Sequence, residues 1–322
     1  RLRSADFTLQ YDSATGDDWD LTLQTTGLQR DTISVADLRA TGGGRLTQGE
    51  GLAIGGIAGG LDLAVRGISF DDADLDRAVG PALNALLRFD WREDTPLELS
   101  EVALSGQDYT LKGRATIKGL TDGLNLTTDL NASLATPDLS RFSGVAGLPV
   151  SGAAELDIAG QADPLAGSFA LTFDGTTRDL ALNQPRLDPL IAGEARLALT
   201  VRRDETGITV DTLDIAAIGA RLTANGVLKT DATSGRFDLR LPDTSLIAPL
   251  LQGPSRLTGT AVQTGTDWAM TVTASGPGNA RAGLDASVII ADGQVGTVTG
   301  TAELSADNLT PYSALAARKL GG

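Results

Sequence analysis

Hydrophobic and polar positions alternate along most of this chain, and the stretch from Gly193 to Leu241 shows the pattern most fully. Leu197, Leu199 and Val201 alternate with Ala198, Thr200 and Arg202, the period-two signature of a half-buried strand. Asp204-Glu205-Thr206-Gly207 supplies turn chemistry. Ile208 and Val210 open a second strand, and Leu213 and Ile215 continue it one residue out of phase, so a bulge is predicted near Thr212. Leu222 and Ala224 make a third pass, and Phe237, Leu239 and Leu241 a fourth, with Arg236, Asp238 and Arg240 facing away. Each pass has one apolar and one polar face.

The same alternation recurs on either side. Phe7, Leu9 and Tyr11, then Trp19, Leu21 and Leu23, predict a hairpin around residues 13–18. Ile33 and Val35 begin another strand, and Leu61, Leu63 and Val65 a further one. Between these, residues 42–60 hold nine glycines, read as a bend or a close-packed edge. Gly49-Glu50-Gly51 lacks the third glycine of a dinucleotide fingerprint, since Ile54 stands in its place. Strands follow at 97–99, 102–104, 109–111 and 115–117. Residues 124–134 are the cleanest: Leu124, Leu126, Leu130 and Leu134 share one face, Asn125, Thr127, Asp129, Asn131 and Ser133 the other. Leu156 with Ile158, then Phe169, Leu171 and Phe173, then Trp268, Met270 and Val272 extend the apolar series.

Residues 72–88 break the rhythm. Leu75, Ala78, Val79, Ala82, Leu83, Leu86 and Leu87 fall at helical spacing and predict one amphipathic helix, capped by Asp72 or Asp74 and kinked or restarted at Pro81. A short apolar joint also recurs, at Asp138–Gly152, Leu187–Gly193, Leu246–Gly253 and Asn308–Gly322. Each joint ends in glycine and is read as a brief helical turn between strand groups. The fold class expected is all-β, an antiparallel-type, repeat-like sheet. It is expected to form one elongated domain over 1–322, with subdivision into 1–136 and 137–322 as the alternative. Because the last joint leads into no strand, the chain is expected to be a segment of something longer.

Composition sharpens this. Aromatics are only 4%, and 33 Asp against 8 Glu favours turns over helices. The net charge of −15 with no basic run in the sequence argues against nucleic acid as a partner. There is no His and no Cys, which removes Cys nucleophiles, Ser-His-Asp triads, disulfides and the usual zinc sites. No metal or cofactor is expected. No uncharged apolar run reaches the ~18 residues of a membrane helix, and no signal peptide opens the chain, so any anchor lies elsewhere.

The joints and alternating strands together resemble the TamB branch of the AsmA-like envelope proteins, the translocation and assembly module of proteobacteria. The resemblance is carried by PDLSRFSGVAGLPVSGAAELDIAG from Pro137, LDPLIAGEARLAL from Leu187, IAPLLQGPSRLTGTA from Ile247 and NLTPYSALAARKLGG from Asn308. It covers most of the chain, best from about residue 97. It implies a long curled sheet, folded like a taco and lined with apolar side chains. It further implies a periplasmic location within an inner-membrane-anchored protein, and phospholipid acyl chains as cargo moving toward the outer membrane. An Omp85-type barrel is the implied partner in outer-membrane protein assembly, reached through other parts of the parent chain. The lining would then be the apolar residues named above, from Leu124 to Val272, with no catalytic residue among them.

Three other classes compete. A polysaccharide-active β-solenoid would use paired carboxylates, for which Asp17-Asp18 and Asp71-Asp72 are the candidates, although adjacent Asp residues are common in turns. A calcium-binding adhesin would need GGxGxD repeats, which the sequence lacks. A chaperone would hold an unfolded strand on the same face or on a free sheet edge.

Overall fold

A computed structural model describes residues 2–13, 16–30, 32–49, 54–120, 126–146, 149–163, 165–185, 188–229, 232–291, 294–313 and 319. Leu124, Glu50, Gly51, Gly147 and Leu187, and positions 314–318 and 320–322 of the last joint, lie outside them. The chain is all-β: the described residues form eighteen strands and short helices. Its contacts gather into two compact units, Arg1–Phe169 and Ala170–Gly322.

The first unit contains β1 (Ser4–Asp12), β2 (Asp18–Arg30), β3 (Ile33–Gln48), β4 (Ile54–Phe70), β5 (Ala82–Arg92), β6 (Leu97–Gly106), β7 (Tyr109–Lys118), β8 (Thr127–Thr136) and β9 (Ser151–Asp163). Strand β10 (Ser168–Ala181) opens at the boundary between the units. The second unit continues with β11 (Glu194–Asp204), β12 (Gly207–Ala217), β13 (Arg221–Leu228), β14 (Ser234–Leu241), β15 (Ser255–Thr264), β16 (Asp267–Gly276), β17 (Ala280–Ala291) and β18 (Gln294–Ser305). From β1 to β9, and again from β11 to β18, every strand pairs antiparallel with the next. Each run is therefore a meander whose pairings are local in sequence.

The β1–β2 hairpin forms as the alternation predicts, with Phe7 opposite Leu23 and Leu9 opposite Leu21. The bulge predicted near Thr212 is present: the β12–β13 register shifts between Val210 and Leu213. Helical turns occupy the joints, at Leu139–Phe142, α2 (Ser143–Ala146), α3 (Asp188–Ile191), Thr244–Leu246 and Thr310–Tyr312. Each of these follows an even-numbered strand. Within each unit's antiparallel meander, connections after even-numbered strands fall at one end of that unit's strands.

The predicted helix over 72–88 is corrected. Helix α1 covers only Ala73–Val79, capped by the Asp72 carboxylate, which accepts from the amides of Asp74 and Leu75. Gly80 leaves the helix at φ 76°, and Pro81 has no N–H to offer the ladder. From Ala82 the chain is β5, paired with β4 on one side and β6 on the other. Leu83, Ala85, Leu87 and Phe89 share its apolar face. Leu86 faces the other way, opposite Asp62 and Ala103. That one misplaced leucine, next to Leu83 and Leu87, imitates helical spacing; two neighbouring strands override it.

The glycines of 42–60 also differ from a bend. Gly42, Gly43 and Gly44 lie inside β3, opposite Leu61, Gly60 and Gly59 of β4. A Cβ at Gly59 would stand 2.6 Å from Cζ2 of Trp19, so the missing side chain makes room for that indole. Trp19 stacks on Phe89 with ring centroids 6.2 Å apart.

Buried cores are small. Leu190 of α3, Ala220 and Leu241 form one cluster, with Ile191 and Leu239 packed against it. In the first unit α1 packs against the Leu139–Phe142 turn and α2. There Phe142 meets the Tyr109 ring edge-on at 5.9 Å, Arg141 lies over the same ring at 5.4 Å, and the Tyr109 hydroxyl donates to the Val79 carbonyl at 3.3 Å. Among the described residues no helix is long and apolar enough to cross a membrane.

Candidate functional site

Directly opposed residues in a sheet point to the same side, so the registers assemble the two faces row by row. In the second unit one row runs Leu197, Ile215, Leu222, Leu239, Leu257, Ala274, Ala282, Leu304. The next runs Leu199, Leu213, Ala224, Phe237, Gly259, Val272, Leu284, Ala302. Neither row contains a polar side chain from β11 to β18. In the first unit the corresponding row runs Phe7, Leu23, Ala40, Leu63, Ala85, Leu104, Leu111, Leu134, Leu156. Beside it lie Leu9, Leu21, Gly42, Leu61, Leu87, Val102, Gly113, Ala132 and Ile158. Each unit thus has one apolar face that is continuous across strands.

The opposite faces are polar. Thr200 opposes Thr212, and Asp238 stands between Thr223 and Thr258. The alternation in sequence therefore becomes a two-sided sheet in each unit, and the apolar face is kept across the register shifts that follow Thr200 and Leu99, where Val201 opposes Val210 and Val102 opposes Gly113.

A closed core would bury these rows, and they are not buried. Among the described residues no large side chain is fully buried. Phe7 is 62% exposed, Leu9 56%, Val298 58% and Leu304 83%. The apolar residues that are buried are mostly alanines, such as Ala40, Ala154, Ala195 and Ala280. The leucines and valines of the rows lie between these limits, half-covered by their neighbours in the sheet.

The residues selected from sequence fall on this face as follows. Leu134, Leu156 and Ile158 belong to the first unit's rows, Leu130 lies on the same face between Ala115 and Gly160, and Leu126 sits just before β8. Leu197, Leu199, Leu213, Ile215, Phe237, Leu239 and Val272 belong to the second unit's rows. Val201 opposes Val210, Met270 opposes Ala261, and Trp268 stands between Gln263 and Val288 on the same side. Ile208 opposes Arg203, and Leu241, buried against α3, opposes Ser255. Phe169, Leu171 and Phe173 of β10 are half-buried and alternate with exposed neighbours.

Sequence reading missed an aromatic group on the first unit's apolar face. Trp19 and Phe89 come together there, because Gly44 and Gly59 stand between them in the register, and Trp91 lies two residues along the same face of β5, opposite Ile57. The indole N–H groups of Trp19 and Trp91 are buried and make no hydrogen bond among the described residues. The signal was the paired glycines opposite a tryptophan strand.

The paired carboxylates are held in turns and caps. Asp17, at φ 60°, accepts the Tyr11 hydroxyl at 2.5 Å and the Gln48 amide at 3.2 Å. Asp18 pairs with Arg45 at 3.2 Å, Asp72 caps α1, and the Asp71 amide donates to the Thr32 carbonyl. These contacts bring no two of the four carboxylates onto a common ligand position.

Set against known proteins, the chain matches no family model, no curated protein and no solved structure.

Proposed function

We propose that the apolar faces carry phospholipid acyl chains across an aqueous compartment. The observation behind this reading is the uninterrupted apolar rows with their large side chains left partly exposed. Acyl chains leaving a bilayer need continuous apolar cover, worth about 0.8 kcal/mol per CH₂ kept from water. Leucine, valine and alanine make no directional contacts, so a chain can slide along them without a deep trap.

In this reading the chain is a non-enzymatic, periplasmic segment of a TamB-type protein anchored in the inner membrane by other parts of its parent. Native mass spectrometry after gentle purification tests it. Bound phospholipid is the expected result; a lipid-free, monodisperse monomer would rule the reading out.

One observation favours the assembly role as a second reading. Val298 and Leu304 of β18 are 58% and 83% exposed, an apolar strand surface that a polypeptide could cover, as a factor working with an Omp85-type barrel would need. Bound polypeptide in place of lipid would favour it.

A further inference from the structure

The polar face of the second unit carries a row that the strand-by-strand alternation does not reveal. Beginning at β11, directly opposed positions run Arg196, Ala216, Arg221, Arg240, Arg256, Ser275, Arg281 and Ser305. Five arginines from five strands thus share one line, beside the joints. Arg221, Arg240 and Arg256 are consecutive neighbours.

Folding alone does not account for this row. Like charges directly opposite in a sheet destabilise it. In the first unit arginines avoid the arrangement: Arg88 opposes Glu101, Arg45 opposes Asp18, and Arg39 lies between Gln24 and Ala64. In the arginine row two carboxylates offset part of the charge. Asp238 pairs with Arg256 at 2.7 Å and with Arg240 at 3.0 Å, and Asp214 pairs with Arg221 at 2.8 Å. Arg196 and Arg281 have no acidic partner among the described residues. The row is a local positive excess on a chain of net charge −15.

A cavity of about 560 Å³ opens on it, lined by Arg221, Arg240, Arg256 and Arg281, with the hydroxyl of Ser275, opposite Arg256 and Arg281, as a further donor. Guanidinium groups present paired N–H donors that match the oxygens of a phosphate bidentately. The Asp238 carboxyl, held at about 2 by the guanidiniums of Arg256 and then Arg240, stays ionised at neutral pH and fixes both side chains in place.

We infer that the arginine row is a binding site for a phosphate group, carried by a lipid headgroup or by a small phosphate ester. It lies on the polar face and does not depend on what the apolar face carries.

The test uses the whole 322-residue chain. Calorimetric titration with glycerol phosphate at low ionic strength is one arm, and flotation with phosphatidylglycerol vesicles the other. Arg281→Gln removes a guanidinium with no ion pair to lose, so its fold should be unchanged; Arg240→Gln probes the centre of the row. Arg88→Gln, in the first unit, is the control. Saturable binding weakened about tenfold in Arg281→Gln and Arg240→Gln, but not in Arg88→Gln, is the expected result. Flotation lost with the same arginines assigns the headgroup, and soluble binding without flotation assigns the small ester. No saturable binding in either arm overturns the inference, as does binding that Arg281→Gln leaves intact or that Arg88→Gln weakens equally.

Discussion

Leu199 of β11 stands directly opposite Leu213 of β12, and the register slips immediately afterwards, between Thr200 and Val201. The pair opens a continuous apolar row that runs from β11 to β18, and it is only half-buried. If that face were sealed, Leu199→Lys would strand an ammonium in the interior and cost about 3–5 kcal/mol. On an accessible face the lysine stem lies along the wall and its head reaches water, so the loss should be about 1 kcal/mol. We expect Leu199→Lys to fold, to melt a few degrees lower and to lose bound lipid. Thr200→Lys, on the polar face, should change neither. A collapsed Leu199→Lys melt beside a normal Thr200→Lys melt would mean the face is a core.

Much of this architecture is legible in the sequence because meander pairing is local. The period-two alternation of Leu197, Leu199 and Val201 specifies a strand and its faces at once, and the phase change after Val210 specifies the bulge. What is not legible depends on neighbours in space. Leu83, Leu86 and Leu87 carry helical spacing, and only the ladders with β4 and β6 decide that they are strand. The glycines near residue 43 read as a bend or a close-packed edge until the register sets them inside β3 beside Trp19. Arg221, Arg240, Arg256 and Arg281 are unremarkable polar alternates in sequence. They become a row only when hairpin lengths bring them into line.

The space above Gly59 is a second testable feature. A methyl group there would meet the Trp19 ring and the Gly43 carbonyl. Gly59→Ala should therefore cost about 1–3 kcal/mol through overpacking. If the Trp19 clash is the cause, Trp19→Leu should recover part of the loss in the double variant, although it is destabilising alone. Denaturant melts of the four proteins measure the coupling. Strict additivity would place the strain in the backbone contact instead.

Asp72 decides where α1 begins. Its carboxylate accepts from the amides of Asp74 at 2.9 Å and Leu75 at 3.1 Å. Asp72→Ala should lower stability by about 1 kcal/mol, and Asp72→Asn, which keeps the acceptor oxygen, by much less. Because α1 packs on the Leu139–Phe142 turn, hydrogen exchange should quicken there too in Asp72→Ala. Unchanged exchange in the turn would separate the two elements.

Asp238 gives the arginine row a pH signature whose sign is fixed by its partners. Its carboxyl is held at about 2, below the usual 3.8, first by the hydrogen bonds from Arg256 and then by those from Arg240. A depressed carboxylate contributes its stability fully above the ordinary value. That contribution fades as the pH falls through the folded value, so the window runs from about 4 down to about 2. The side chain is 21% exposed, and solvent screening limits the contribution to about 1 kcal/mol. Asp238→Asn should therefore be less stable than the parent at pH 7, by a gap that holds down to about pH 4 and closes toward pH 2. Denaturant midpoints of both proteins across that range measure it. A gap that persists at pH 2 would show that Asp238 acts through packing or hydrogen bonding that survives protonation, and not through its charge.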